Sequence, residues 1–435
     1  MLDAEVGGGA ESPTDAHMHG RRLFTQGALA VAASALLPRP KRAFALDPGK
    51  VRPALTSSAF GDGVGIANNF HRWMVSQGFA QDRLVRNLVF NFYDTDKNKG
   101  SWVYPMLCGK AIIWLLGRKR VADAIAVADA LLRWQQIYKH DSWEKSYGSF
   151  PSAIDRDPKG VWKAGDRYYA GDNLVILDAF LQLYERAKSK EVLNAAVGIG
   201  TWLCNIMCAG LKLQTWKEDH GAPMWFVNAK GDFSNNIYAN VEMLWISALY
   251  RLGKITSECA YCRQAEKAFR FYKLSQTPKG AFYDHYDPAY PPLPYSASRW
   301  ITYAGRQVIS DNVLRAALGL CRWGELELAR KTFDWLKVQN GGIPAYLDIQ
   351  TGQHGFDKDS DVYFDVTSSG MYRSLCQWLG KKVQGKEAVV FLRRTQDKNG
   401  GWYWGVFKNG LKPVRPEMCP MPGFWATADL SAVDG

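Results

Sequence analysis

Three stretches of this sequence concentrate side chains able to move protons and hold polar ligands. Residues 155–172 carry Asp155, Asp157, Trp162, Asp166, Tyr168, Tyr169 and Asp172. Residues 283–311 carry Tyr283, Asp284, His285, Tyr286, Asp287, Arg299, Trp300, Tyr303, Arg306 and Asp311. Residues 354–365 add His354, Asp357, Asp359, Asp361 and Asp365. Such a mixture suits chemistry on sugars. Paired carboxylates divide the acid and base roles of glycoside hydrolysis. Removing the proton alpha to a uronate carboxyl instead needs a Tyr or His base, with Arg or Lys to neutralise the carboxylate. On this logic Asp172, Asp311 and Asp365 are candidate acids or bases, His285 is a candidate base, and Arg306 is the candidate carboxylate partner. Flat aromatic faces stack on pyranose rings. Trp162, Tyr168, Tyr169, Trp225, Tyr283, Trp300, Tyr303, Trp402 and Trp404, together with Arg299, are therefore the candidate substrate contacts. A structural use competes with each role, since Asp172, Asp311 and Asp365 also stand where short acidic residues cap helices.

No metal or cofactor is expected. Cys204 and Cys208 lie four apart in an apolar helical pattern and Cys259 and Cys262 three apart, without the histidines of a zinc-ligand set. These thiols, with Cys108, Cys321, Cys376 and Cys419, read as buried side chains.

Six copies of one unit position these residues. An amphipathic helix ends in Gln or a polar turn. A Gly or Gly-Gly and an aromatic or apolar residue follow, then a loop and a second, more apolar helix. Residues 333–346 (Phe-Asp-Trp-Leu-Lys-Val-Gln-Asn-Gly-Gly-Ile-Pro-Ala-Tyr) and 391–404 (Phe-Leu-Arg-Arg-Thr-Gln-Asp-Lys-Asn-Gly-Gly-Trp-Tyr-Trp) are the clearest copies. Others lead to Gly100, Gly148, Gly221 and Gly280. The periodicity predicts outer helices near 68–92, 120–138, 190–212, 257–275, 325–338 and 384–395. It predicts inner helices near 103–117, 172–186, 236–252, 311–323, 366–379 and from 425 onward.

This pattern resembles the (α/α)6 toroid of six helical hairpins, an all-α fold shared by six-hairpin glycosidases, several polysaccharide lyases and the terpenoid-cyclase and prenyltransferase group. Gln396 to Trp402 looks like the Gln-Gly-Gly-Trp element of the last group. The resemblance implies that the long outer-to-inner loops meet on one face, above the N-termini of the inner helices. It covers most of residues 68–435 and speaks for fold rather than function. The cyclase acid motif is not matched by Asp361-Val-Tyr-Phe-Asp365-Val-Thr367.

The chain has 435 residues, 47% hydrophobic and 22% charged, with 17 Trp, 20 Tyr and 20 Phe, enough for a large packed core. Its net charge of +12 favours anionic partners, but the basic residues are dispersed, so no nucleic-acid groove is expected. Arg21 and Arg22 precede a short apolar stretch from Leu23 to Leu37, followed by Arg39, Lys41, Arg42 and the small-x-small run Ala43-Phe44-Ala45. That order resembles a twin-arginine export signal over residues 1–45, with a linker over 46–67 and the toroid over 68–435. The expectations are a periplasmic or secreted location, the twin-arginine translocase as a partner during export, and no stable membrane insertion. The expected function is an exported carbohydrate-active enzyme, a polysaccharide lyase or glycoside hydrolase, acting on an oligo- or polysaccharide, possibly acidic. A non-catalytic glycan- or protein-binding toroid of the cell envelope and a terpenoid-cyclase-like enzyme are the alternatives.

Overall fold

A computed structural model describes residues 63–427, apart from 95, 98, 142–147, 209–220, 235, 288–299 and 357. Residues 1–45, the expected signal, and the candidate residues Arg299 and Asp357 lie outside the described residues. The outer helices are α1 (Gly63–Trp73), α3 (Val121–Asp141), α5 (Lys190–Trp202), α8 (Cys259–Tyr272), α10 (Leu326–Trp335) and α12 (Lys382–Thr395). Alternating with them are the inner helices α2 (Pro105–Gly117), α4 (Ala170–Ala187), α6 and α7 (Ala239–Met243 and Ile246–Thr256), α9 (Ser310–Arg322), α11 (Val366–Leu379) and α13 (Pro420–Thr427). Inner helices are largely buried, and α11 buries Thr367, Ser368, Ser369, Arg373, Ser374 and Gln377 along with its apolar side chains. In α2 each residue from Pro105 to Leu116 is buried, which is why that segment shows no clean amphipathic face.

Each inner helix packs on the next, and α13 returns to contact both α1 and α2, so the ring closes. A second closure runs through the loops. The residues just before each inner helix pair with the following loop: Val103 with Ile154, Arg167–Tyr169 with Phe226–Asn228, and Ile237 with Tyr286. Gln307–Ile309 then pairs with Tyr346–Asp348, Tyr363–Asp365 with Gly405–Phe407, and Met418 with Tyr93. All six loops are thereby hooped together over the inner-helix N-termini, as the resemblance implied.

The repeated Gln and Gly make the outer packing possible. Gln276 donates to the Leu328 carbonyl of α10 at 2.9 Å, and Gln396 donates to the Ile66 carbonyl of α1 at 3.1 Å. Gly280 and Gly400 have φ of +105° and +95°, a region L side chains avoid. A Cβ there would lie 2.3 Å from the Lys331 oxygen or 2.2 Å from the Asn69 oxygen. Each glycine therefore lies against the backbone of the next outer helix, and Gly400 does so across the closure. Trp402 folds back and donates its indole N–H to the Leu392 carbonyl at 2.9 Å.

Several helix boundaries differ from the periodicity. The first outer helix ends in a π-helical turn, Met74–Gly78, well short of residue 92. From there Asn87, at φ +71°, helps turn the chain, and Trp134 donates to the Leu84 carbonyl at 2.9 Å. The third inner helix is broken at Leu244–Trp245, where α9 presses in so closely that a Cβ on Gly319 would meet Met243 backbone at 2.7 Å. The last inner helix starts at Pro420, five residues earlier than expected.

Candidate active site

The two Asp-Asn pairs at the start of α4 and α9 split their duties. Asn173 exchanges hydrogen bonds with the backbone of Phe150, and Asn312 donates to Asp284 at 3.2 Å, so both asparagines pin loops. Their aspartates do not cap the helices, whose N-cap positions hold Tyr169 and Ile309. Asp172 receives the Tyr104 hydroxyl at 3.0 Å, and its second oxygen makes no hydrogen bond among the described residues. Asp311 forms an ion pair with Arg315 one turn along α9, at 2.6 Å. Only Asp365 is a helix cap, accepting the Thr367 N–H at 2.8 Å and the Ser368 hydroxyl at 2.6 Å.

Asp172 and Arg315 stand where α2, α4, α6, α9 and α13 converge on the ring axis. A narrow pocket there is lined by Lys110, Asp172, Arg315, Trp245 and Trp425, with free space of only about 10 Å³ for the centre of a water molecule. Asp172 is 8% exposed and Lys110 3%. The Lys110 ammonium is sandwiched by the rings of Trp245 and Trp425, at 3.9 and 3.6 Å from their centroids.

Electrostatics sets these carboxyls apart. Burial pushes Asp172 up to about 7, against the opposing pull of the Tyr104 hydrogen bond and the Arg315 charge. Burial and the neighbouring Asp311 charge push Asp365 up to about 7 as well, although its two hydrogen bonds resist. Burial raises the phenols of Tyr104 and Tyr238, the latter to about 12, with Asp172 and Asp284 adding to the effect. Burial lowers His285, which favours the neutral ring.

Aromatic residues form the rim above. Tyr169, Trp225, Tyr238 and His285 make a continuous bank. Trp225 lies 4.3 Å from Tyr238, and His285 stacks on Tyr238 at 5.0 Å. Tyr303 is 52% exposed and stacks on Tyr346 at 5.4 Å, with Tyr363 and Trp404 continuing that side.

The candidates thus divide. Arg315 links Asp311 to Asp172, Asp365 neighbours Asp311, and His285, Tyr169, Trp225, Tyr303 and Trp404 belong to the rim. Arg306 does not join them. Its half-exposed side chain forms an ion pair with Asp348 at 2.8 Å on the outside of a turn. Trp402 is 0% exposed and pinned to α12. Trp162, Tyr168 and Trp300 are also buried. Trp162 lies under the Arg156 guanidinium at 4.7 Å, Tyr168 points opposite to Tyr169 on its strand, and Trp300 packs on Phe271 and Tyr286. These four brace loops rather than offer faces to a ligand. Tyr283, half-buried, is placed in the fourth loop beside the buried Asp284. Lys110, Arg315 and Tyr104 escaped sequence reasoning because they lie within or just before apolar helices. The i, i+4 spacing of Asp311 and Arg315 was the one available signal.

No protein-family model matches the chain, and no curated protein matches it in sequence. Among solved structures it is similar to a D-mannose isomerase, with a TM-score of 0.63 and 12% identity over 87% of this chain and 98% of that one. A sugar epimerase from a ruminal bacterium gives 0.61 and 13%, covering 85% and 98% of the two chains. An alpha-amylase from Clostridium perfringens gives 0.59 and 12%, covering 86% and 98%. At such identities the likeness speaks for architecture. Together with the closed ring of inner helices, it shows an all-α (α/α)6 toroid of six helical hairpins.

Proposed function

We propose that this protein is a carbohydrate-active enzyme, a glycoside hydrolase that takes an oligo- or polysaccharide on the aromatic rim. The observation that carries this reading is the set of Asp172, Asp311 and Arg315: one carboxyl raised to about 7 under the pull of the Arg315 charge, and another held in an ion pair with that same arginine. Asp172, largely protonated below neutrality and with one oxygen unengaged, is the general acid that donates its proton to the glycosidic oxygen. Asp311, as a carboxylate, takes the proton of an attacking water or attacks the sugar carbon itself. Both oxygens of Asp365 are engaged by the start of α11, which makes it a positioning residue. An elimination by a Tyr base is less well supported, because burial makes Tyr104 and Tyr238 harder to ionise. A charged pocket this narrow does not suit an isoprenoid chain.

The test is incubation of the purified protein with a polysaccharide panel, following reducing ends and the absorbance of unsaturated uronides. New reducing ends without that absorbance are expected, and Asp172→Asn should lower turnover by roughly 10²–10⁴-fold. Absorbance appearing with cleavage would replace the hydrolase by a lyase, and binding without cleavage would leave a glycan-binding toroid.

A second reading rests on His285. Kept neutral and stacked on Tyr238, it suits the proton shuttling of a sugar isomerase or epimerase, activities that appear in the names of two similar structures. Interconverted sugars with no new reducing ends would favour it. Export by the twin-arginine route to the periplasm or beyond belongs to the same proposal, on the strength of Arg21, Arg22 and the run to Ala45. Replacing both arginines by lysine should retain the protein in the cytoplasm, as fractionation would read.

A further inference from the structure

Sequence spacing assigned every thiol to the interior, and the structure corrects this at one end of α8. Cys108, Cys321, Cys376 and Cys419 are buried, and Cys204, Cys208 and Cys262 are half-buried. Cys259 is exposed and opens α8, one turn before Cys262 on the same helix. The start of that helix brings the two side chains into line. The Tyr261 N–H donates to the Glu258 carbonyl at 3.2 Å, an i to i+3 bond that tightens the first turn. In such a turn side chains three apart eclipse one another. A regular α-helical turn holds their Cβ atoms about 5–6 Å apart, whereas a disulfide needs about 3.5–4.5 Å. The tightened turn therefore starts closer to disulfide geometry, at the end of the helix where the backbone has fewest intrahelical bonds to lose.

The neighbouring helix makes room for one sulfur. A Cβ on Gly253 of α7 would lie 2.6 Å from the Cys262 Sγ, and the same thiol donates to the Tyr250 carbonyl at 3.5 Å. Cys262 is thus held against α7, and Cys259 is the sulfur that solvent reaches. Inner helices start under the rim, so α7 ends and α8 begins at the opposite end of the ring. This pair takes no part in the saccharide site.

We propose that Cys259 and Cys262 form a thiol–disulfide exchange site whose substrate is a small-molecule disulfide. The Cys259 thiolate attacks one sulfur of that disulfide, making a mixed disulfide and expelling one thiolate, which takes up the proton Cys259 released. The Cys262 thiolate then attacks the Cys259 sulfur, closing a disulfide within the first turn of α8. The second thiolate leaves with the Cys262 proton. Two protein thiols are oxidised, and one small disulfide is reduced to two thiols. The pair stays a dithiol in a reducing compartment and closes in an oxidising one.

The experiment treats the folded, full-length protein with oxidised glutathione, quenches with acid, alkylates the remaining thiols and maps them by mass. Trypsin places both cysteines in residues 255–263, which hold no other cysteine. In the wild type that peptide should lose two hydrogens and escape alkylation, roughly tenfold or more faster than Cys204 or Cys208 is modified. Dithiothreitol should restore both thiols. Cys262→Ser should stall with one glutathione on Cys259, and Cys259→Ser should react no faster than the half-buried thiols. The inference is overturned by an unreactive pair, by earlier modification of any other cysteine, or by a glutathione adduct that persists on wild-type Cys259. A disulfide joining either sulfur to a third cysteine overturns it as well.

Discussion

Replacing Asp172 by Asn should stabilise the protein while disabling it, and pH reveals why. In the unfolded chain this carboxyl has its ordinary 3.8, whereas in the folded protein burial lifts it to about 7. As pH rises between these values, the unfolded state releases a proton that the folded state keeps. The unfolded state then binds fewer protons, so stability falls with rising pH through that window and levels off above about 7. Ionising the buried carboxyl therefore costs about 4 kcal/mol, an upper bound because the pocket's opening lets water reduce the penalty. Asparagine cannot ionise and can still accept the Tyr104 hydroxyl, which lies 3.0 Å from the present oxygen. Urea unfolding of both proteins should give nearly equal stabilities close to pH 4. Near pH 8 the Asn variant should be more stable by up to about 4 kcal/mol. A variant less stable than wild type at pH 8, or a difference that ignores pH, would refute the reasoning that burial dominates this group.

Other perturbations test the ring and its packing. Gly400→Ala should cost about 1–3 kcal/mol more in urea melts than Gly160→Ala, because both sit at positive φ but only Gly400 lies against a neighbouring backbone. Tyr272→Phe removes the hydroxyl that Glu242 accepts at 2.5 Å in the core, and should cost about 1–3 kcal/mol in the same assay. Trp402→Ala should cost about 3–5 kcal/mol, whereas Tyr303→Ala should weaken saccharide binding roughly tenfold and shift stability by less than about 0.5 kcal/mol.

Much of the ring could be read from spacing, because its repeat obeys local rules. Helix α11 falls where periodicity puts it, at 366–379, and the glycines after α8 and α12 mark turns wherever they occur. The Asp-Asn pairs at 172–173 and 311–312 were visible as helix starts, but which side chain faces the axis depends on neighbours far along the chain. Lys110 shows the limit most clearly. Within Met-Leu-Cys-Gly-Lys-Ala-Ile-Ile its charge looks like an interruption of an apolar helix. Only the approach of Trp245 and Trp425, from the third and sixth hairpins, makes it the lining of a pocket. Arg306 failed for the converse reason. Its loop is rich in suitable residues, yet strand pairing sends it outward to Asp348.

Every acidic candidate named here lies before residue 366, yet the chain needs another sixty residues to assemble them. Among the described residues, the sixth hairpin holds none of the candidate acids or bases. Besides Trp404 on the rim and Trp425 over Lys110, it brings Gly400 against Asn69, Met418 against Tyr93, and α13 wedged between α11 and the first two helices. A nascent or truncated chain stopping near residue 395 would thus own a full set of reactive groups and no arrangement of them. The final segment acts as the keystone, and catalytic competence should arrive abruptly with its synthesis instead of accumulating hairpin by hairpin.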